Sequence, residues 1–288
     1  MEIQENVSLK PKTTMRIGGT AQFYAEPATE ADVEAAWKFA QEKGIPLIVL
    51  GGGSNTIFAD ETIQALVVRL KNEELTVKEN VVHVGSGKNL PMLINELAEQ
   101  NLDLSPLTGI LGSVGGAIFG NAGQGPKGIW IETYVDTVEV FLNGEWKTFS
   151  KNECNFSYRE SVFKEIDTPL IIWSTTLQIP TKPAVEVKAE VQRLLQKRIE
   201  TQPHVKTAGS CFKAVGETPA WQLIDAVGLR GKKIGGVSVA EKHANFLLND
   251  GTGTFEDAKA IVEEVKQKIE EPLDVEMRFV RPDGTLEF

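Results

Sequence analysis

The stretch Leu47–Thr56 reads LIVLGGGSNT, and the prediction of the fold starts from it. Four apolar residues follow Pro46 and predict a short buried strand, which three consecutive glycines end. Because glycine accepts positive φ and lets other groups approach the backbone closely, a turn over Gly51–Asn55 would present free N–H donors that suit phosphate or pyrophosphate. A strand-ending turn without a ligand is the alternative at this point. The residues match neither a Walker loop nor the Gly-x-Gly-x-x-Gly of a dinucleotide fold.

A strand–helix–strand unit is predicted around this stretch. Gln22–Glu26 is typical of a strand, Thr29 with Asp32 indicates a capped helix start, and Gly44 indicates the helix end. The unit is α/β in character, and its glycine turn lies at the carboxyl end of a strand, where ligands tend to bind.

The rest of the chain predicts further strands and helices without repeats. Strands are predicted at 63–70, 75–78, 81–84, 138–142, 145–149, 170–179, 246–248 and 274–280, and helices at 90–100, 184–201, 219–227 and 254–270. The helix over 184–201 would turn Val187, Val191, Leu194 and Leu195 inward. Asn143-Gly144 is the favoured hairpin turn.

A second glycine-rich segment spans Thr108–Gly123 and contains six glycines among apolar residues. Such a composition is a poor design for a regular helix or strand. It suits a backbone that must touch something flat or charged at close range, and close packing contacts that need small residues are the alternative.

Composition excludes several classes of function. The 288-residue chain has a net charge of -10 without a basic cluster, which argues against nucleic acid as a partner. No apolar run reaches the length of a membrane span, and the N-terminus is not a signal peptide. Cys154 and Cys211 have no metal-binding spacing, nor do the histidines His83, His204 and His243. We therefore expect a cytoplasmic globular protein without a metal. A monomer is also expected, although composition does not decide the oligomeric state.

Eight motifs in order identify a resemblance that covers nearly the whole chain. They are Thr14-x-Arg16-Ile17-Gly18-Gly19, Gly51-Gly52-Gly53-Ser54-Asn55, Gly112-Ser113-Val114-Gly115-Gly116-Ala117, Asn121-Ala122-Gly123, Tyr158-Arg159-Glu160-Ser161, Gly209-Ser210-x-Phe212-Lys213, Glu241-Lys242-His243-Ala244-Asn245 and Glu276-x-Arg278-Phe279. With these motifs the chain resembles the shorter type of the UDP-N-acetylenolpyruvoylglucosamine reductase family of flavoenzymes.

The resemblance implies an α+β fold and a division into domains. An FAD-binding fold of the vanillyl-alcohol oxidase type, in two α/β subdomains at about 1–70 and 71–182, would be followed by an α+β substrate-binding domain at 183–288. The last strand would return to the active site. The shorter type has no room for the extra tyrosine-bearing loop of the longer form, so we expect an open nucleotide pocket.

The resemblance also implies the reaction. NADPH would reduce bound FAD, and the reduced flavin would pass hydride to UDP-N-acetylglucosamine enolpyruvate, giving UDP-N-acetylmuramate for peptidoglycan. Ser210 matches the proton donor, which needs a neighbour such as Lys213 to stabilise the alkoxide. Arg159 matches a catalytic arginine that would stabilise charge at the substrate carboxylate. Glu276 matches a catalytic glutamate, acting either on Arg159 or on the substrate.

Other residues are carried over as ligands. The implied cofactor-binding residues are Leu50, Gly51, Gly52, Gly53, Ser54, Asn55, Gly112, Ser113, Gly115, Gly116, Asn121 and Gly123. The candidate substrate-binding residues are Tyr158, Lys213, Lys242, His243 and Asn245. Without the resemblance, Ser210 would be interpreted as a cap or turn hydroxyl, Arg159 and Glu276 as surface residues, and His243 as a structural histidine.

Three positions depart from the family pattern. Leu111 replaces a common proline, so the loop over the cofactor is expected to be less rigid. Gln124-Gly125-Pro126 replaces a segment with an aromatic residue, and Ala214 replaces a polar residue. Two other functions stay open: an FAD-dependent oxidase of the same fold, or a non-catalytic nucleotide-binding relative.

Overall fold

A computed structural model describes residues 1–125, 128–203 and 205–288 as an α+β protein. The strands are β1 (Ile3–Ser8), β2 (Thr20–Ala25), β3 (Leu47–Val49), β4 (Thr56–Phe58), β5 (Thr62–Val68), β6 (Leu75–Lys78), β7 (Val81–Gly85), β8 (Val135–Leu142), β9 (Glu145–Ser150), β10 (Leu170–Gln178), β11 (Lys233–Ile234), β12 (Val237–Val239), β13 (Leu247–Asn249) and β14 (Arg278–Val280). The helices are α1 (Glu30–Lys43), α2 (Leu90–Glu99), α3 (Val114–Phe119), α4 (Val162–Glu165), α5 (Ala184–Thr201), α6 (Ala220–Ala226) and α7 (Phe255–Lys268), with short 3₁₀ turns at Lys10–Lys12, Ser105–Leu107 and Ile131–Thr133. Pro126 and His204, both named above, lie outside the described residues.

The chain divides into two compact units, each made of separate segments. Unit 1 comprises Met1–Glu2, Ala25–Gly52 and Val67–Arg198, and unit 2 comprises Ile3–Tyr24, Gly53–Leu66 and Ile199–Phe288. The predicted boundary between a cofactor domain and a substrate domain, at 182/183, falls inside unit 1. That functional division stays a prediction.

Unit 1 is built on an antiparallel five-stranded sheet in the order β6-β7-β10-β8-β9. In its register, Thr175 of β10 lies opposite Val84 on one side and Val138 on the other. The core of the unit is apolar, and α2 contributes Leu93 and Leu97 to it, as its predicted face requires.

The helix α1 and the β8–β9 hairpin meet in the same unit around Trp37. The Trp37 ring lies 5.9 Å from the ring of Phe141, edge to face. Asn143 and Gly144 take positive φ at the hairpin turn, which confirms the predicted Asn-Gly turn. The Trp37 ring lies close to Gly144, where a Cβ atom would be 2.9 Å from its edge.

Unit 2 contains the strand β1, most of the neighbouring strands β2 and β5, a parallel pair β4–β14, and an antiparallel sheet β11-β12-β13. The helix α7 buries Phe255, Ile261 and Val265 among its apolar residues. The ring of Phe255 lies 5.5 Å from that of Phe279 on β14, so the helix and the last strand share a core.

The predicted helix caps are confirmed. Thr29 with Asp32, and Thr254 with Asp257, each form a capping box in which side chain and backbone satisfy each other. Gly44 ends α1 in the left-handed conformation, where its N–H bonds to the last helical carbonyls.

Two predicted elements are wrong in part. The second glycine-rich segment contains the helix α3, because Ser113 caps it and Val114, Ala117 and Ile118 are buried. The last strand is confined to Arg278–Val280, so Glu276 precedes it; before β14 only Val275 forms a bridge, to Phe212.

The predicted inward face of α5 is also too wide. Val187 is buried and Val191 and Leu194 are half-buried, whereas Leu195 is 45% exposed. Leu195 follows Val187 by eight residues, which rotates it about 80° around the helix from the buried stripe. Among the described helices, none has both the length and the apolar content needed to cross a bilayer.

Candidate active site

The two glycine-rich segments meet in unit 1, backbone against backbone. A Cβ atom on Gly52 would lie 2.6 Å from the Cα of Gly112, and one on Gly51 would lie 2.7 Å from Ser113 Oγ. No larger residue fits at Gly52 unless the opposite segment moves, and one at Gly51 would require the Ser113 side chain to turn away. Part of the small-residue pattern therefore serves close packing, the alternative that the sequence left open.

The same place carries backbone donors that fit an anionic ligand. Within the described part of the chain, the N–H groups of Gly51, Gly52, Gly112 and Ser113 donate to no acceptor. The preceding residue, Leu50, is buried and uses its N–H for a 2.8 Å bond to Val68 O. Neighbouring N–H groups without an internal acceptor form the kind of concave site that binds phosphate, so these residues fit an FAD pyrophosphate.

Two further glycines of this segment differ in their surroundings. A Cβ on Gly115 would lie 2.8 Å from the Cβ of Ser86, so Gly115 is required by packing. At Gly116 the nearest atom, Ser113 Oγ, would be 3.5 Å away. The backbone of α3 is therefore bare at Gly116, where a flat group could lie against it.

Gly53 continues the turn into unit 2. Its φ of +69° suits glycine, and a Cβ atom there would overlap the carbonyl oxygen of Lys12. The Gly53 carbonyl accepts the Thr14 N–H at 2.9 Å. Thr14 Oγ1 in turn donates to Thr207 O at 2.6 Å. The first motif, at Thr14, thus supports the glycine turn, and half-buried Ser54 follows Gly53 within it.

Asn55, at the end of the turn, bonds to the segment that carries Glu276. Its Nδ2 donates to Glu276 O at 2.9 Å, and its own carbonyl accepts the Arg278 N–H at 2.9 Å. Both bonds lie within unit 2. The side-chain amide of a residue assigned to the cofactor is thus engaged with the segment that bears the predicted catalytic glutamate.

Ser210 and Glu276 lie on neighbouring segments of unit 2. Cys211, which follows Ser210, accepts the Glu276 N–H at its carbonyl, at 2.8 Å, and Phe212 bridges Val275. Lys213 closes the pairing by donating its N–H to Asp274 O at 2.9 Å. Glu276 is therefore paired with the segment that directly follows Ser210, while Ser210 itself bridges Phe246.

The hydroxyl of Ser210 is open to a ligand. Ser210 is half-buried, and its Oγ forms no hydrogen bond to any residue that the structure describes. Cys211 is buried, and its thiol pKa is raised well above the usual value, first by burial and then by the charge of Glu276. A buried, protonated thiol is inaccessible to substrate, which favours Ser210 over Cys211 as the proton donor.

Asn245 fixes the other side of the Ser210 segment. It is 6% exposed, accepts the Phe212 N–H at Oδ1 (2.9 Å) and donates from Nδ2 to Phe212 O (2.8 Å). Its backbone carbonyl accepts the Cys211 N–H at 2.8 Å. Both polar atoms of the Asn245 side chain are thus used to hold the segment that carries Ser210.

His243 and Lys242 lie in the loop before Asn245. His243 Nδ1 accepts the Asn245 N–H at 3.3 Å, and its ring stacks edge to face between Trp221 and Phe246. Burial, followed by the positive charge of Arg230, lowers the pKa of His243, so the neutral ring that accepts this bond is favoured. Lys242 is exposed and donates from Nζ to Ile199 O at 2.5 Å.

Arg159 lies in unit 1, at the tip of a tight turn. Ser157 and Glu160 exchange backbone hydrogen bonds, so that Tyr158 and Arg159 occupy the two central positions. Arg159 has a φ of +61°, a conformation that is unfavourable for a residue with a side chain and concentrates at functional sites. Its Nη2 donates to Gly123 O at 2.8 Å, and its guanidinium lies 5.5 Å from the centre of the Tyr158 ring.

Asn121 connects this turn to the end of α3. It is fully buried, with its Nδ2 donating to Glu132 Oε2 at 2.9 Å and to Ser157 O at 2.8 Å. Its amide thus anchors the residue before Tyr158. The structure brings together Asn121, Gly123, Tyr158 and Arg159 in unit 1, and Asn55, Ser210, Asn245 and Glu276 in unit 2.

Gln124 and Arg198 fix the loop before Leu111, a role that the sequence did not indicate for either of them. Gln124 Nε2 donates to Pro106 O at 2.7 Å and to Thr108 O at 3.3 Å, and Arg198 Nη1 donates to Gly109 O at 3.1 Å. The pKa of Arg198 is lowered by burial and by the nearby charge of Arg159. Leu111 is 59% exposed, but the chain before it is held by these two side chains.

No sequence signal could have indicated these contacts. The acceptors of Gln124 and Arg198 are backbone carbonyls, which carry no side-chain identity, and Gly109 lies far from Arg198 in sequence. Elsewhere in the described part of the chain, no cluster of three or more His, Cys, Asp or Glu side chains could hold a metal ion.

Two models of known protein families match separate ranges of this chain. Residues 21–149 match the family model of an FAD binding domain. Residues 201–279 match that of the C-terminal domain of UDP-N-acetylenolpyruvoylglucosamine reductase.

Full-length relatives carry the same enzyme name. The UDP-N-acetylenolpyruvoylglucosamine reductase of Protochlamydia amoebophila is 35% identical over 98% of this chain and 95% of its own. That of Aquifex aeolicus is 35% identical over 98% of this chain and 96% of its own. The crystal structure of the Thermus caldophilus enzyme has a TM-score of 0.84 at 32% identity, covering 97% of this chain and 99% of that one.

Proposed function

The chain belongs to the UDP-N-acetylenolpyruvoylglucosamine reductase family, and from this premise we propose that it reduces UDP-N-acetylglucosamine enolpyruvate to UDP-N-acetylmuramate. FAD, when bound, carries the hydride from NADPH to the enolpyruvyl group. The observation that carries the proposal is the backbone pairing of Glu276 with the segment that directly follows Ser210, with the Ser210 hydroxyl open to a ligand. A non-catalytic relative would have no need to keep these groups in place.

The glycine turn and α3 hold the cofactor in this proposal. The free N–H groups of Gly51, Gly52, Gly112 and Ser113 would bind the pyrophosphate, and the bare backbone at Gly116 would lie along the cofactor. Leu50, Gly53 and Ser54 shape the turn, and Gly115, Asn121 and Gly123 shape the second segment.

Ser210 transfers the proton. Hydride addition at the terminal carbon of the enolpyruvyl group leaves negative charge on the carbon beside the carboxylate, and Ser210 Oγ gives its proton to that carbon. An alkoxide is poorly stable alone, so a cation such as Lys213 must stabilise it while Ser210 regains a proton from water.

The negative charge that develops at the substrate carboxylate is stabilised by Arg159, with Glu276 assisting in the proposed mechanism. A guanidinium binds a carboxylate through two parallel hydrogen bonds, so Arg159 stabilises the substrate carboxylate as charge grows on it. Glu276 polarises the same region, acting on Arg159 or on the substrate. The turn that holds Arg159 at positive φ, and the bond to Gly123, pre-organise its guanidinium.

The proposed substrate-binding residues are Tyr158, Lys213, Lys242 and His243. Lys242 is exposed and can turn toward the nucleotide diphosphate, whereas His243 offers the ring nitrogen that does not accept from Asn245. For Asn245 we propose a supporting role, because its side chain is buried and engaged with Phe212. The nucleotide pocket is open on this proposal.

We place the reaction in the synthesis of peptidoglycan precursors in the cytoplasm, and with it in cell wall biogenesis, cell shape and division. The enzyme acts there as a monomer, without nucleic acid or membrane as a partner. A sedimentation measurement that shows a stable dimer would contradict the monomer.

An anaerobic absorbance titration of the FAD-loaded protein tests the function. We expect NADPH to bleach the flavin absorbance and one equivalent of UDP-N-acetylglucosamine enolpyruvate to restore it. Bleaching that only oxygen reverses would favour an oxidase or a reductase with another acceptor. A protein that takes up no FAD would contradict the proposal.

A further inference from the structure

The asparagine that ends the glycine turn is bonded to the chain around Glu276. Asn55 Nδ2 donates to Glu276 O at 2.9 Å, and the Arg278 N–H donates to Asn55 O at 2.9 Å. One residue thus bonds to the peptide groups on the carboxyl side of Glu276 and on the amino side of Arg278. The parallel pairing of β4 with β14 begins next to it, with Thr56 opposite Arg278.

Glu276 is held on its other side by the segment of Ser210. Its N–H donates to Cys211 O at 2.8 Å. Both polar backbone groups of Glu276 therefore have a partner, one from the Ser210 segment and one from the glycine turn. Because Glu276 lies outside a regular strand, the Asn55 side chain replaces the bond that a continued ladder would supply.

We propose that the side chain of Asn55 is a positioning group for Glu276 rather than a group that binds the cofactor. Its amide fixes the peptide group that follows Glu276, and with it the direction in which the Glu276 side chain leaves the backbone. The inference rests on the proposed function, in which Glu276 acts on the developing charge. It changes the role of the Asn55 side chain, since the resemblance implied that Asn55 binds FAD.

The amide is chemically required for this role. Only a donor can bond to a carbonyl oxygen, so an aspartate at 55 would keep the shape but set a carboxylate oxygen against Glu276 O. The Arg278 N–H would keep its backbone acceptor in every variant at 55, so the β4–β14 pairing is retained. A substitution at 55 therefore removes only the hydrogen bond to Glu276 O, and its structural effect is confined to the backbone at Glu276.

The experiment compares Asn55→Asp and Asn55→Ala with the unaltered protein. Anaerobic stopped-flow absorbance gives the rate of flavin bleaching by NADPH and the rate of its recovery with the enolpyruvyl substrate. Titration of the FAD-free protein with FAD, followed by flavin fluorescence, gives the Kd. Asn95→Asp is the matched control, because Asn95 Nδ2 also donates to a backbone carbonyl, Pro91 O at 3.0 Å, on the exposed face of α2.

We expect both Asn55 variants to be slow in one half-reaction only, the recovery of the flavin with the substrate. Recovery should slow by about 10- to 100-fold in both variants, the effect of a displaced catalytic group, while bleaching and the Kd for FAD stay within about 3-fold. The steady-state kcat should fall with little change in the KM for the substrate, since ground-state binding is kept. Asn95→Asp should match the unaltered protein.

Three results would overturn the inference. A Kd for FAD raised by more than about 10-fold with bleaching impaired would make Asn55 a cofactor ligand. Recovery at the normal rate in both variants would leave Asn55 without a role. Loss of folding in both variants, seen as no cooperative urea transition, would show a purely structural residue. If the unaltered protein itself shows no recovery, the proposed function fails as well, and the two failures are thereby distinguished.

Discussion

The guanidinium of Arg159 gives the most specific prediction for a single residue. Arg159→Lys keeps the charge but cannot make two parallel bonds to a carboxylate, nor reach Gly123 O in the same geometry. We expect substrate-driven recovery of the flavin to slow by about 10²- to 10³-fold, because a stabiliser of developing charge is weakened.

A second arginine-to-lysine variant shows whether the slower recovery is specific to position 159. Arg193→Lys changes an exposed arginine of α5 that pairs with Glu190 at 2.6 Å. It should leave both half-reactions unchanged. Equal recovery rates in Arg159→Lys and Arg193→Lys would remove Arg159 from the mechanism.

The histidine in the Asn245 loop predicts a dependence of stability on pH. The folded-state pKa of His243 lies below 6.5, so as the pH falls the unfolded chain binds this proton first. The contribution of His243 to the free energy of unfolding is complete above about pH 6.5 and is lost as the pH falls through the lowered folded pKa.

Urea unfolding at pH 7.5 and pH 5 would measure this contribution. The unaltered protein should lose more stability between the two values than His243→Gln, whose side chain does not titrate. The control is His83→Gln, a change at an exposed histidine on β7. If His243→Gln loses as much stability as the unaltered protein, the neutral His243 ring has no part in holding the loop.

Among single residues, the resemblance predicted Ser210, Arg159 and Glu276 as the catalytic ones. The structure added the residues that hold these segments in place. Asn55, Asn245 and Gln124 act through bonds to backbone carbonyls and N–H groups. Such bonds depend on tertiary geometry and not on the type of the partner residue, so no pattern in the sequence could indicate them.

At the scale of elements, the meeting of the two glycine-rich segments predicts a contrast between two alanines. Gly52→Ala would set a methyl group 2.6 Å from the Cα of Gly112, whereas at Gly116 the nearest atom would be 3.5 Å away. We expect Gly52→Ala to lower the free energy of unfolding of the FAD-free protein by about 1–3 kcal/mol, the usual cost of overpacking. Gly116→Ala should leave it nearly unchanged.

FAD affinity then distinguishes packing from ligand contact. If the bare backbone at Gly116 lies along the cofactor, Gly116→Ala should raise the Kd for FAD although the fold is intact. Normal FAD binding in Gly116→Ala would contradict its assignment to the cofactor. Normal stability in Gly52→Ala would contradict the close approach of the two segments.

Elements with strong local signals were predictable. Capping boxes, the Asn-Gly turn and the Gly44 end follow from contacts between near neighbours in sequence, and the structure has all of them. The helix α3 was not predictable, because glycine weakens a helix and only its cap and its burial in unit 1 compensate. The short β14 depends on pairing with β4, which is distant in sequence.

At the scale of the whole molecule, the two compact units divide the proposed machinery. Unit 1 contains Arg159 and the backbone donors around Gly52 and Gly112, and unit 2 contains Ser210 and Glu276. The sequence predicted the class of fold but not these units, because each unit combines segments from distant parts of the chain. Their composition depends on contacts that no local pattern encodes.

In the proposed reaction Ser210 supplies a proton in the second half-reaction only. The most direct test is single-turnover stopped-flow absorbance of Ser210→Ala, with each half-reaction followed separately under anaerobic conditions. We predict flavin bleaching by NADPH at the normal rate and recovery with UDP-N-acetylglucosamine enolpyruvate slowed by about 10²- to 10⁴-fold, as for loss of a positioned acid. Equal slowing of both steps, or recovery at the normal rate, would contradict it.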